Sequence, residues 1–286
     1  QAAKSLELVR LQMSLSSVSE KLKKRKLFKK YAFMFENVDT TLIEGKSVLP
    51  MYLKETISEN YWRRDPERRR KVLTAEQKVS FEPYMDDEGL STYLNYLYND
   101  IDIYANNIPV LTNQFLSPIA DGAPLFYTFY ITDTVLVGSE RLIELSFVPR
   151  NTADFLFQGH VLVTMDGRYA VRQVQMGVNK RINLNWVREL HIEQEFEPNA
   201  TGRYQMTRSR MRADFGISKS GGGIYGERTV SNRNVVVGNV RDPEFYNERP
   251  TDTTDVQHRS EDYWTTMRHS QLSVAESKTY QNIDSL

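Results

Sequence analysis

From Gln114 to Phe196 the chain is a succession of runs rich in Val, Ile, Leu, Phe and Tyr, cut at short intervals by Gly, Pro, Asn or Asp. Breaks fall at Val137-Gly138-Ser139-Glu140, at Pro149-Arg150-Asn151, at Asp166-Gly167-Arg168 and over an irregular link near Lys180 to Asn185. Branched and aromatic residues suit a pleated, half-buried surface, and their rhythm of about ten residues is that of an antiparallel meander. Asp166-Gly167 is the strongest single turn signal, because a tight hairpin needs residues that tolerate positive φ. The expected fold class is α+β, mainly antiparallel β. We expect a curved, incomplete barrel, or half-barrel, of about ten strands wrapped around one or two helices.

The run from Val187 to Glu197 alternates cleanly. Leu190, Ile192 and Phe196 fall on one face, and Glu189, His191, Glu193, Glu195 and Glu197 on the other. Further strands are expected over Val48 to Trp62, Lys71 to Gln77, Tyr204 to Phe215 and Ile224 to Val237. Tyr31 to Phe35 alternates too, while Leu6 to Met13 fits strand or helix. Between Gly89 and Asp100 the period changes. Leu90, Tyr93, Leu94, Leu97, Tyr98 and Ile101 share one helical face, a pattern of core packing against a sheet. Ser17-Val18-Ser19-Glu20 and Ser273 to Glu276 are capping boxes that open helices to about Lys29 and Leu286. The expected division is a β-rich domain over 1–240, a linker over 241–260 and a helical connector over 261–286.

Charge narrows the partners. Lys+Arg and Asp+Glu are both 37, so no net charge steers the chain toward nucleic acid. Two local excesses stand out: the helix face carrying Lys23, Lys24 and Lys26, and the turn Arg63 to Arg70 with Arg68 and Arg69. Each reads as a solvated surface or as a contact for anionic headgroups or an acidic partner. There is no Cys, which excludes disulfides and thiolate chemistry. No apolar run approaches the roughly 20 residues of a membrane-spanning helix. The chain opens at Gln1 without a signal-peptide pattern, and reads as a piece of something longer.

A search for catalytic patterns finds none of the familiar nucleophile, zincin or paired-acid arrangements. The four His are scattered, and His191 beside Glu193 lacks a second His or Cys for a metal set. Gly221-Gly222-Gly223 lacks the Lys-Ser/Thr of a phosphate loop. The expectation is a non-enzyme without cofactor or metal.

An ordered set of short motifs adds to this. Phe35-Glu-Asn-Val-Asp-Thr-Thr41, Phe115-Leu-Ser-Pro-Ile-Ala-Asp121, Phe126-Tyr-Thr-Phe-Tyr130, Phe147-Val-Pro-Arg150, Asn183-Leu-Asn-Trp-Val187, Gly223-Ile-Tyr-Gly-Glu-Arg228 and the tail Tyr263-Trp264 to Arg268 stand in sequence. In this the chain resembles a Bacteroidetes family of outer-membrane proteins of unknown function with an N-terminal carboxypeptidase-regulatory-like domain. The resemblance implies a periplasmic middle domain between a small β-sandwich and a C-terminal transmembrane β-barrel. It implies a binding or assembly role at the outer membrane, with its own barrel and an envelope protein or lipid as partners.

The meander is also similar to the half-barrel of periplasmic lipoprotein-sorting proteins, whose concave face holds acyl chains. That similarity implies Phe126, Phe129, Phe155, Phe157 and Phe196 as lipid contacts and a carrier as the alternative role. The other reading of these five rings is a filled core.

Overall fold

The computed structural model describes residues 2–14, 38–40, 47–80, 87–179, 182, 184, 187–216, 223–238, 241–247, 259–268 and 272–283. The helix expected after Ser17, with Lys23, Lys24 and Lys26, lies outside them, as does the strand expected over 31–35. Twelve strands are formed among the described residues: β1 Ala2–Ser14, β2 Val48–Arg63, β3 Arg68–Ser80, β4 Asn107–Val110, β5 Asn113–Leu116, β6 Tyr127–Val137, β7 Glu140–Pro149, β8 Phe157–Thr164, β9 Val171–Val178, β10 Val187–Pro198, β11 Tyr204–Gly216 and β12 Gly223–Val236. Ten of them form one open antiparallel sheet in the order β3-β2-β1-β12-β11-β10-β9-β8-β7-β6, and β4 pairs with β5 alone. Among the described residues β3 and β6 each have a strand on one side only and are the edges of this sheet. Mainly antiparallel β in an open sheet of ten strands is the expected fold class.

The chain forms two compact units. In the first, residues 1–91 and 215–286, β1 lies between β2 and β12. Leu6 to Met13, ambiguous in sequence, is strand because both neighbours pair with it over nearly its whole length. One apolar cluster gathers Leu8, Leu49, Met51, Leu53 and Val79, with Leu272 and Tyr280 packed against it. A second gathers Leu6, Ile57, Ala75 and Trp264. Trp264 sits on helix α3 (Glu261–Met267), and Tyr280 on α4 (Val274–Ile283). The capping box that opens α4 is formed: the Ser273 backbone N donates to Glu276 Oε2 (2.8 Å), and the Glu276 backbone N to Ser273 Oγ (3.2 Å). These helices are also held by charge. Arg10 donates to Glu276 and Glu227, and Arg268 to Glu55 and Glu261.

In the second unit, residues 92–214, strands β6 to β10 are the meander expected from the sequence. The β6–β7 turn is two residues, Gly138-Ser139, with Gly138 at φ +63. The turn at Asp166-Gly167 is wider than a tight hairpin and spans residues 165–170. Its geometry is set by Asp166, which accepts from Thr164 Oγ1 (2.6 Å), Arg168 N (3.1 Å) and Arg168 Nε (2.7 Å). Those bonds, the Thr164 hydroxyl first, pull its carboxyl down to about 2. Helix α1 (Asp87–Leu97) ends earlier than expected; Leu94 and Leu97 are buried, as is Ile101 beyond its end, but Tyr98 is exposed in the turn that follows. β10 alternates as predicted, with Leu190, Ile192 and Phe196 buried and the acidic face accessible.

Candidate functional site

The site is built on β6, the last strand of the sheet. Its first residue, Tyr127, is fully buried and anchors the strand: its hydroxyl donates to the Leu116 carbonyl (2.7 Å) and accepts from the Phe157 backbone N (3.1 Å). Burial pushes that phenol well above its ordinary range, so it stays a neutral donor. The neighbouring Tyr127–Phe147 rings meet edge to face at 5.8 Å.

Beyond Tyr127 the strand leaves the core. It pairs with β7 regularly from Tyr127↔Pro149 to Ile131↔Leu145; a bulge follows, and pairing resumes at Asp133↔Glu144. Residues paired directly across a ladder point to the same face. Phe129 and Ile131 therefore share a face with Phe147 and Leu145 of β7. Past the bulge, Thr134 and Leu136 continue that face of β6, opposite Ile143 and Arg141 of β7. Ile131 is 74% exposed, Leu136 68% and Phe129 37%. Leu125 and Phe126, in the single helical turn α2 (Ala123–Phe126) just before β6, are exposed as well. The opposite face at the same strand pair is polar. Thr132 Oγ1 donates to Glu144 Oε1 (3.1 Å), and Ser146 Oγ lies 3.5 Å from Thr132 Oγ1. The sheet thus ends in a border with an apolar row on one side and, on the other, a mixed row in which Thr128, Tyr130, Thr132 and Ser146 bring hydroxyls and Val148 an apolar side chain.

The five phenylalanines divide. Phe157 and Phe196 are buried: Phe157 lies against Phe115 (4.9 Å between centroids), and Phe196 meets Tyr104 edge to face (5.8 Å). Phe155 touches Phe115 edge-on at 5.7 Å and is otherwise half exposed, as are Phe126 and Phe129. A filled core accounts for two of the five. Ile131 and Leu136 were absent from the sequence-based set. The signal in sequence was a strand apolar on both sides of its alternation, but position at a sheet edge is not encoded locally.

The basic turn is formed by the β2–β3 hairpin. Arg68 and Arg69 are both exposed, Arg69 pairing with Glu67 (3.1 Å) and Arg68 donating to the Glu67 carbonyl (3.0 Å). Further along β3, Arg70 stacks over Phe245 (4.2 Å to the ring centroid), and Arg259 Nη2 donates to the Thr74 carbonyl (3.4 Å). This edge is covered and cationic, the usual protection of a sheet border.

Titratable groups of the meander are engaged with one another. His191 Nε2 lies 3.0 Å from Glu193 Oε1, which also accepts from Arg212 Nη2 (2.8 Å). His160 Nε2 lies 3.1 Å from Gln175 Oε1. Among the described residues no three His, Cys, Asp or Glu side chains gather as a metal set.

A family model described as a family of unknown function, DUF5686, matches residues 9–233, from within β1 to within β12. The chain belongs to the DUF5686 family. The DUF5686 match takes in β6, β7 and both hairpins of the site, while α3 and α4 lie beyond it. No curated protein matches the sequence. Among solved structures, one similar chain is a domain provisionally named as an outer membrane lipoprotein-sorting protein from Vibrio parahaemolyticus, at 7% identity and TM-score 0.28, covering 85% of this chain and 89% of that one. Another is a DUF1329 family protein from Desulfovibrio piger, at 10% identity and TM-score 0.29, covering 86% and 89%.

Proposed function

We propose that this chain is a non-enzymatic binding and assembly domain on the periplasmic side of the bacterial outer membrane, part of a longer protein that continues into a transmembrane β-barrel. The observation that carries the binding role is the apolar border of Phe129, Ile131 and Leu136 on the free strand β6. Large apolar side chains left to water along a sheet edge are unfavourable in an isolated domain, and this row supports a contact site. The ordered motifs shared with outer-membrane proteins support the envelope setting and the barrel. In this reading Lys23, Lys24, Lys26, Arg68 and Arg69 face headgroups or an acidic partner.

A second reading, a lipid or lipoprotein carrier, is favoured by the half-exposed Phe126, Phe129 and Phe155 near the same border. Native mass spectrometry of the chain purified from a bacterial envelope, with lipid extraction, separates the two. The assembly reading expects a bare mass and a protein partner cross-linked through position 131. A stoichiometric acyl adduct lost in Phe129→Asp, with folding intact by circular dichroism, replaces it with the carrier. Neither adduct nor cross-link at this border sinks both. Phe157 is unsuitable for this test because it is fully buried.

A further inference from the structure

Resting on that reading, we infer that the occupant of the β6 border is an extended segment of another protein, added to the sheet as an eleventh strand and alternating apolar with hydroxyl-bearing residues.

Three observations set its length and character. First, the free stretch is bounded. The Tyr127 carbonyl already accepts from Arg150 Nε (3.1 Å), and the Thr134 backbone N donates to Asp133 Oδ1 (2.7 Å). Between them, Thr128 to Ile131 keep regular register with β7 on one side and, among the described residues, have no strand on the other. Every second peptide group of an edge strand points its N–H and C=O outward, which is the template for strand addition.

Second, the two faces at this edge differ. Phe129 and Ile131 present an apolar row; on the other face Thr128 and Tyr130, opposite Val148 and Ser146, carry hydroxyls toward Thr132 and Glu144. An incoming strand must place apolar side chains beside the first row and hydroxyls beside the second. That is an alternating sequence and not a uniformly greasy one. A lipid chain satisfies the apolar row but leaves the outward amides without partners.

Third, the usual protections of a border are placed at the other edge. β3 carries Arg68, Arg69 and Arg70 and has its Thr74 carbonyl covered by Arg259. β6 has one acid, Asp133, and its bulge, both past the free stretch. A second copy, pairing antiparallel through its own Thr128 to Ile131, has only those four residues to offer before its bulge and Asp133, and so makes a short ladder.

The test uses a labelled nine-residue peptide alternating valine and threonine, capped at both ends, titrated against the chain by fluorescence anisotropy. Its depsipeptide copy, with esters replacing amides, keeps the side chains and loses the N–H donors. We expect the amide peptide to bind, and the ester copy or Ile131→Lys to weaken it by about tenfold or more, a change of roughly 1.4 kcal/mol. Tyr169→Lys, on the exposed β8–β9 turn, is expected to leave binding unchanged. Equal binding of amide and ester copies, with both lost in Ile131→Lys, overturns strand addition while leaving an apolar contact site. Absence of peptide binding together with an acyl adduct overturns it in favour of lipid. Sedimentation of the free chain as a dimer that Ile131→Lys converts to monomer overturns it in favour of a second copy.

Discussion

Arg268, immediately after α3, grips Glu55 of β2 with a fork. Its Nε lies 3.0 Å from Oε1 and its Nη2 2.9 Å from Oε2, and Glu55 is completely buried. Gln77 Nε2 donates to the same carboxylate, and Arg268 Nη1 also holds the exposed Glu261 (2.6 Å). Paired, planar and hydrogen-bonded, the two charges compensate each other's loss of water.

Removing one member strands the other. Arg268→Met is expected to cost about 3–5 kcal/mol, because Glu55 stays buried without its cation. Replacing both, as Glu55→Met with Arg268→Met, is expected to restore most of that loss. Urea unfolding midpoints of the single and double variants check this; equal midpoints in all forms would show that the fork contributes nothing.

Glu7 gives a pH dependence. Burial pushes its carboxyl up, but Arg228 (2.6 Å) and Lys71 (3.1 Å) outweigh burial and hold it below its ordinary value of 4.5. A carboxyl whose folded value is depressed stabilises the protein above the unfolded value, and that contribution is lost as pH falls through the folded one. Glu7→Gln should therefore be less stable at neutral pH and lose less stability than the parent as pH falls below 4.5. Parallel slopes in acid would refute it.

Gly159 permits close approach of β8 to β9. A Cβ there would lie 2.0 Å from the Gln175 carbonyl oxygen and 2.8 Å from Met176 Cα, both backbone atoms that cannot swing away. Gly159→Ala is expected to destabilise by about 1–3 kcal/mol or more, as overpacking does. Gly138, whose Cβ would meet open space, is strained only by its φ of +63. Thermal melts of the two alanine variants should rank Gly159→Ala as the worse.

Trp264 is the largest fully buried side chain among the described residues and ties α3 to Leu6, Ile57 and Ala75. Trp264→Ala is expected to cost about 3–5 kcal/mol. Hydrogen exchange should rise first in α3, while β8 to β10 keep their protection.

Much of the fold was legible because alternation is local. β2, β10 and β12 run within a residue or two of the predicted limits, and in β10 the alternation of Leu190, Ile192 and Phe196 with acids, ended by Pro198, marks the strand directly. β3 was read too short: it starts at Arg68, where Arg70 gains the Phe245 ring and charge alone hides the strand. The turn at Asp166 was placed correctly but is wider than Asp-Gly implies, because the Asp166 carboxylate gathers its own donors. The exposed rows of β6 were legible only at Phe129. Tyr130, Ile131 and Leu136 read as ordinary strand residues until the order of strands leaves them with a neighbour on one side only.

The two edges of the sheet also fix its valence. With Arg68, Arg69 and the Arg259 contact on β3, strand addition at β6 as inferred would leave the sheet, among the described residues, with one reactive end, as a terminator has in a growing polymer. A molecule of valence one can cap a strand or join a single mate, but it cannot propagate. Elongation into fibres needs a second open border, so strand addition at β6, as inferred, would end in bounded assemblies.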